Sequence, residues 1–166
     1  MGPPPITPPT FCQGGAGLMS TVDDYLRFAR MLLAGGEADG TRLLSTEAVR
    51  LMRTNRLTDE QRRQPFLGAP YWVGRGFGLG LSVVTDPVKS RPLYGPGGSG
   101  TFGWPGAYGT WWQADPTLDL ILIYLVQNHP KLSADAVSAV AGNTSQAKLM
   151  TVRPKFVQHT YKALED

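Results

Sequence analysis

The sequence predicts an α+β fold, an antiparallel sheet flanked by helices. Three observations carry that expectation. A capped amphipathic stretch spans residues 20–33, and a weaker helical segment follows it. Residues 74–126 then read as short strands separated by turn residues. The chain closes on another amphipathic segment, 153–166. Helices, then strands, then a helix is the order expected when helices pack on an antiparallel sheet, not when strands and helices alternate through a parallel one.

The first helix is announced by Ser20 and by Asp23 three residues on, an S-x-x-D box. Asp23 and Asp24 suit the positive end of a helix dipole. Val22, Tyr25, Leu26, Ala29, Leu32 and Leu33 recur at helical spacing, and Gly35 and Gly36 stop the run. Arg27 and Arg30 lie one turn from Asp23 and Asp24, as helix-surface ion pairs do. Ser45 is the cap of a second helix, whose apolar side is Val49, Leu51 and Met52. Residues 54–75, rich in Arg and Gln, read as a surface loop. Gly74–Val84 alternates glycine with large residues, the pattern of a strand close to another backbone. Residues 85–100 carry turn signals throughout. Strands are then expected at Thr101–Gly103, Ala107–Gln113 and Leu118–Val126, the last two joined by a turn with Pro116. The last run is apolar on both faces, so both should be covered. A weak helix is expected over 132–142. A better one follows, with Pro154 near its first turn and Phe156, Val157, Tyr161 and Leu164 on one side.

The bulk composition narrows the function. The 166 residues are 42% hydrophobic and 17% charged, which is the balance of one globular domain. A net charge of +3 from scattered Lys and Arg has no basic run and does not suit a nucleic-acid partner. No apolar run reaches the length of a membrane span. Cys12 is the single cysteine, and His129 and His159 stand apart, so neither a disulfide nor a metal centre is expected. No cofactor motif occurs. The opening MGPPPITPP has neither the basic region nor the apolar core of a signal peptide. Residues 1–13 are expected to form a proline-rich tether ahead of a folded portion, 14–166.

The stretch GSGTFGWPGAYGTWWQADP, residues 98–116, puts glycines and a proline where a buried strand would carry neither. A strand whose backbone faces a substrate would tolerate both. Together with GGAGLMSTVDDYLRFARMLLAGGEADGTRLLSTEAVRLM before it and FVQHTYKAL after it, this stretch resembles the C-terminal part of the serine β-lactamase, penicillin-binding protein and carboxylesterase superfamily. The resemblance runs from about residue 11 to 130 and resumes from about 155 to 166. It implies a partial β-lactamase-like (transpeptidase-like) fold, acyl transfer on a small-molecule ester, amide or β-lactam, and no cofactor.

In that family a serine in an S-x-x-K motif attacks a carbonyl, with the lysine and the tyrosine of a Y-x-N motif handling its proton. The resemblance assigns Trp104-Pro105-Gly106 to the third motif. It puts Trp104 and Tyr108 beside the substrate. Gly106 allows close backbone approach, and the Ala107 amide becomes one of two oxyanion donors. Pro105 departs from the usual pattern. Amides two residues apart along a strand face the same side, so residues 105 and 107 would both face an edge with no neighbouring strand. There a missing donor breaks no ladder bond. Tryptophan at the first position supplies no cation for a substrate carboxylate, which favours an ester over a β-lactam.

The first two motifs normally lie upstream of the helix that begins here near Ser20. No Y-x-N occurs in this sequence. Its one S-x-x-K, Ser145 to Lys148, follows the third motif and matches a polar helix or loop surface better than a nucleophile. The resemblance therefore implies a C-terminal fragment or subunit of a serine hydrolase, partnered by an N-terminal half that carries the nucleophile, or else self-associating. The alternative is a catalytically inactive relative that binds a ligand or partner. A sugar or base platform from Trp104, Tyr108, Trp111 and Trp112 is disfavoured, because strand alternation separates Trp111 from the others. Asp115 before Pro116 reads as a turn residue.

Overall fold

The computed structural model describes residue 11 and residues 18–66, 68–127 and 144–165, with only the backbone of 144–151. Most of the expected tether, Cys12, His129 and the weak helix over 132–142 lie outside the described residues.

Helix α1 covers Val22–Leu33 and buries Ala29, Met31 and Leu32. Its cap is Thr21, one residue after the expected Ser20. The Thr21 hydroxyl accepts from the Asp24 N–H at 3.2 Å, while the Ser20 hydroxyl donates to the Thr21 carbonyl. Val22, expected in the buried stripe, is 47% exposed, and Met31 takes a place in the core. Thr21→Ala should cost about 1 kcal/mol by removing the cap, and Ser20→Ala almost nothing. Chemical denaturation of the two variants checks this; equal effects would return the cap to Ser20. Of the expected ion pairs here, Arg27 meets Asp24 at 3.5 Å on the exposed surface.

A two-stranded hairpin of β1 (Glu37–Ala38) and β2 (Thr41–Arg42) leads to α2 (Thr46–Met52). Ser45 caps α2 as expected, accepting from the Ala48 N–H at 3.0 Å. The polar stretch read as a loop contains α3 (Asp59–Arg63), closed by a capping box between Thr58 and Gln61. The turn-rich stretch after it contains α4 (Pro87–Tyr94), capped by Asp86 with Pro87 in its first turn. Both helices are short, and their start signals sit among residues that equally suit turns. The expected strand 74–84 is a hairpin, β3 (Arg75–Phe77) and β4 (Ser82–Val84).

Three further strands follow: β5 (Phe102–Pro105), β6 (Trp111–Asp115) and β7 (Leu120–Tyr124). They complete one sheet of order β3-β4-β5-β6-β7, antiparallel throughout. Gly103 sits so close to the backbone of Trp112 and Gln113 that a side chain there would strike it. The last helix, α5 (Thr144–Lys162), starts earlier than expected and carries Pro154 in its interior.

The sheet separates two apolar clusters. On one face Phe102, Trp112 and Ala114 pack with Ala29, Met31 and Leu32 of α1 and Val49 of α2, joined by Ile121 and Ile123. On the other, Trp111 and Leu122 pack with Tyr71, Tyr94, and Val157 and Tyr161 of α5, joined by Leu120 and Tyr124. Both faces of β7 are therefore covered, by α1 and by α5. Trp111 and Trp112 are both core, on opposite faces, which removes them from any exposed aromatic platform. Leu164, expected in the buried stripe of the last helix, is 58% exposed.

Buried polar groups join α5 to the sheet. Trp111 Nε1–H donates to Gln113 Oε1 (2.9 Å), Gln113 Nε2–H to the Tyr161 hydroxyl (3.1 Å), and that hydroxyl to Asp115 Oδ2 (2.7 Å). Asp115 also accepts from the Gly98 N–H and from the Thr117 N–H and hydroxyl, at 2.7–2.9 Å. It is the fully buried end of a relay, not simply the turn residue that the Asp-Pro pair suggests. Burial acts to raise its pKa, but the hydrogen bonds from Thr117, Gly98 and Tyr161 outweigh it and hold the carboxyl below its usual range. Arg75 is buried as well. Its guanidinium donates to Ser90 and Ser82, each at 3.0 Å, and lies 4.3 Å over the Tyr94 ring. Burial lowers its pKa and raises that of the Tyr94 phenol to about 12.

Candidate functional site

The candidate residues lie where β5 loses one of its neighbours. Trp104 stands opposite Trp112, and Pro105 opposite Trp111. The Gly106 N–H donates to the Thr110 carbonyl at 2.9 Å. In an antiparallel pair the amides of alternate residues point the same way. Those of 104 and 106 thus face β6, and those of 103 and 105 face away from it. At Gly103 that other side is β4, through Ser82. The pairing of β4 ends there, and the chain turns off at Gly80, whose φ is +83°. Pro105 therefore has a strand on one side only, and its missing N–H falls on the open side. The proline that looks foreign to a strand interior sits where no ladder bond is lost.

The expected alternation does not continue to Ala107. Strand β5 ends at Pro105, and the expected strand start at Ala107 moves to Trp111. A tight turn intervenes. It is closed by the Gly106–Thr110 bond and by Gly109 N–H donating to the Gly106 carbonyl at 3.0 Å, with Gly109 at φ +86°. Two glycines and the demands of the turn override the strand pattern of the residues between them. Ala107 is exposed in this turn, and no acceptor among the described residues takes its N–H. Gly106 is exposed too; a side chain there would collide with the Thr110 hydroxyl. Tyr108 is half-buried beside them.

Trp104 is half-buried, its ring held 4.9 Å from Phe77, 5.5 Å from Tyr71 and 5.9 Å from Phe66. A cavity of about 270 Å³ opens beside it, bounded by Tyr25, Trp104, Pro105, Trp112, Ile123 and Leu125. Burial raises the pKa of the Tyr25 phenol, opposed by its contact with Trp112. Tyr25 and Phe77 were not among the expected site residues. The apolar stripe of α1 marks Tyr25 as core, and nothing local links Phe77 to a tryptophan 27 positions away.

The motif Ser145 to Lys148 falls on the first turns of α5. Among the described residues no group of three or more His, Cys, Asp or Glu side chains could hold a metal ion, and no helix is long and apolar enough to cross a membrane.

Comparison with known proteins gives three findings. The family described as Beta-lactamase matches residues 1–142. Two curated proteins of Mycobacterium tuberculosis, "Uncharacterized protein MT1414" (strain CDC 1551 / Oshkosh) and "Protein Rv1367c" (strain ATCC 25618 / H37Rv), are each 73% identical over 164 residues. The match covers 99% of this chain and 41% of theirs, so the chain spans about two fifths of the length of these relatives. Among solved structures, "EstCE1, a hydrolase with promiscuous acyltransferase activity" is 26% identical with a TM-score of 0.56, covering 75% of this chain and 29% of that one. The LovD9 mutant of simvastatin synthase from Aspergillus terreus is 22% identical with a TM-score of 0.59, covering 93% of this chain and 38% of that one. That likeness is one of fold.

Proposed function

Because the chain belongs to the Beta-lactamase family, we propose that it is the C-terminal portion of a serine hydrolase that works through an acyl-enzyme on a small-molecule ester, amide or β-lactam. The single observation that carries this reading is the open half of β5. A partly exposed tryptophan, a proline and a glycine lead there into an exposed alanine whose N–H has no acceptor among the described residues. Such an amide is free to meet a developing oxyanion. Trp104 and Tyr108 would flank the substrate, Pro105 would keep the strand edge clear, and Gly106 would let the acyl group approach the backbone. The likeness to EstCE1 supports hydrolysis or acyl transfer as the chemistry.

The nucleophile and its base would come from a segment carrying S-x-x-K and Y-x-N, which this sequence does not supply in family order. That segment is either an N-terminal half of the same protein or a partner chain. The residues proposed here would then form one wall of a cleft whose other wall is the nucleophile's. The expected folded portion, 14–166, is accordingly part of a larger domain. The second reading, a binding module without catalysis, rests on that same missing pair of motifs.

The two readings separate in one experiment. The chain by itself should hydrolyse neither nitrophenyl esters nor nitrocefin above background, and the complete protein containing S-x-x-K and Y-x-N should hydrolyse at least one. Mass measurement of every chain that co-elutes from the native source identifies the complete protein. An activated ester that gave a stoichiometric burst with this chain, abolished by Ser145→Ala, would overturn the proposal and make Ser145 the nucleophile. A complete protein inert toward every ester, amide and β-lactam tried would favour the binding module.

A further inference from the structure

The cavity beside Trp104 is an unfilled apolar space. Tyr25, Trp104, Trp112, Ile123 and Leu125 wall it, and Pro105 and Gly106 stand at its rim. Its volume of about 270 Å³ is far more than a close-packed interior leaves empty. The surface around it is apolar as well. Val22, Tyr25 and Phe28 recur every third residue along one side of α1. Phe28 lies 5.7 Å from Tyr25 and 6.0 Å from Trp112, which puts its ring at the edge of the cavity. Yet Val22 is 47%, Phe28 42% and Leu125, just past β7, 57% exposed. Apolar side chains gathered around an open apolar space mark a contact surface, not a free one.

Two observations point to what covers this surface. The chain accounts for 41% of the length of its 73% identical relatives, so about three fifths of such a protein lies outside it. The rim of the cavity, Pro105-Gly106, directly precedes Ala107. In acyl transfer the nucleophile must come within about 3 Å of the carbon whose oxygen meets the Ala107 N–H. The element that bears the nucleophile therefore has to reach this turn. On one flank of Trp104 the space is already taken, by the rings of Phe77, Tyr71 and Phe66. The flank toward α1 and β7 holds the cavity and has the room.

We infer that the cavity and the exposed side of α1 are the docking surface for the segment that carries S-x-x-K, which seats an apolar side chain against Trp104 and Trp112. The inference rests on the acyl-transfer reading above. Removing the patch from water supplies the attraction. A side chain anchored beside the Pro105-Gly106 rim also holds the nucleophile at a fixed place relative to the Ala107 amide, as oriented reaction requires.

The test uses the complete protein and two readouts. A benzophenone amino acid in place of Phe28 should, on irradiation, cross-link to the segment that carries S-x-x-K, as identified by peptide mass. Cysteine labelling reports coverage independently. Val22→Cys and Leu125→Cys should react with a maleimide about tenfold or more slowly than Val88→Cys, on α4 at a position 82% exposed. If the benzophenone variant fails to fold by circular dichroism, the two smaller cysteine substitutions still carry the test. A cross-link to another part of this chain or to a second copy of the protein overturns the inference. So does labelling of Val22→Cys and Leu125→Cys at the rate of Val88→Cys. A cross-link to the S-x-x-K segment in a protein that hydrolyses no ester, amide or β-lactam sinks the acyl-transfer reading and leaves the docking surface standing. Hydrolysis with the cross-link elsewhere does the reverse.

Discussion

Ala107→Pro in the complete protein should lower kcat/KM by about a hundredfold or more, because it deletes one N–H and little else. A backbone oxyanion donor is worth roughly 3 kcal/mol in the transition state, more than any side-chain contact proposed at this site. The structure makes the substitution a clean one. Ala107 is exposed, lies outside the ladder of β5, and gives its N–H to no acceptor among the described residues. No hydrogen bond of the fold is lost with it, so circular dichroism should be unchanged. Ala107→Gly keeps the amide and should be mild. A folded Ala107→Pro enzyme at a near-normal rate would place the oxyanion donor elsewhere. It would also break the assignment of Trp104-Pro105-Gly106 to the third motif.

The second large effect concerns stability. Asp115→Ala should destabilise the protein by about 3 kcal/mol or more. It removes the carboxylate acceptor of the buried Tyr161 hydroxyl and of the less buried Gly98 and Thr117 donors together, and an orphaned buried donor costs about 1–3 kcal/mol. For a domain of this size that is a fall in Tm of roughly 10 °C. The acid limb carries a second signature. The Asp115 carboxyl is held below its reference value of 3.8 in the folded state. Its contribution is therefore fully present above that value and is lost as pH falls through the lower, folded one. Thermal melts of wild type should lose stability below about pH 4, and part of that dependence should vanish in Asp115→Asn. A melt of Asp115→Ala within about 2 °C of wild type would mean that water re-satisfies the donors and that the relay is dispensable.

These two residues mark how far the sequence could be read. Local signals served well: the stripe of α1, the Ser45 cap of α2, and the hairpin between β6 and β7 are all set by neighbours within a few positions. The free edge at Pro105 was legible too, because a proline inside a strand has few other places to be. What stayed hidden depends on distance along the chain or on competition between close alternatives. Asp115 meets Tyr161 from 46 positions away, and an Asp-Pro pair by itself says only turn. Arg75 lies among charges read as surface, and its burial depends on Ser82, Ser90 and the Tyr94 ring. The shift of the first cap from Ser20 to Thr21 turns on which of two adjacent hydroxyls reaches the Asp24 amide. The end of β5 before Ala107 follows from turn closure between Gly106 and Thr110, which strand periodicity cannot register.

Strand β5 changes character midway. Phe102 and Gly103 are locked between β4 and β6, with no room for a side chain at 103, whereas Trp104 and Pro105 are paired on one side only. Mutational tolerance should follow that break. The first half of the strand is constrained by folding alone and can hardly vary without loss of the sheet. Beyond it the constraint narrows to particular positions: Trp104 is packed among aromatic rings, and Gly106 and Gly109 are held by the turn, whereas Ala107 is exposed. Substitutions at Ala107 that keep its N–H should therefore cost little stability, while those at Phe102 and Gly103 should not be tolerated.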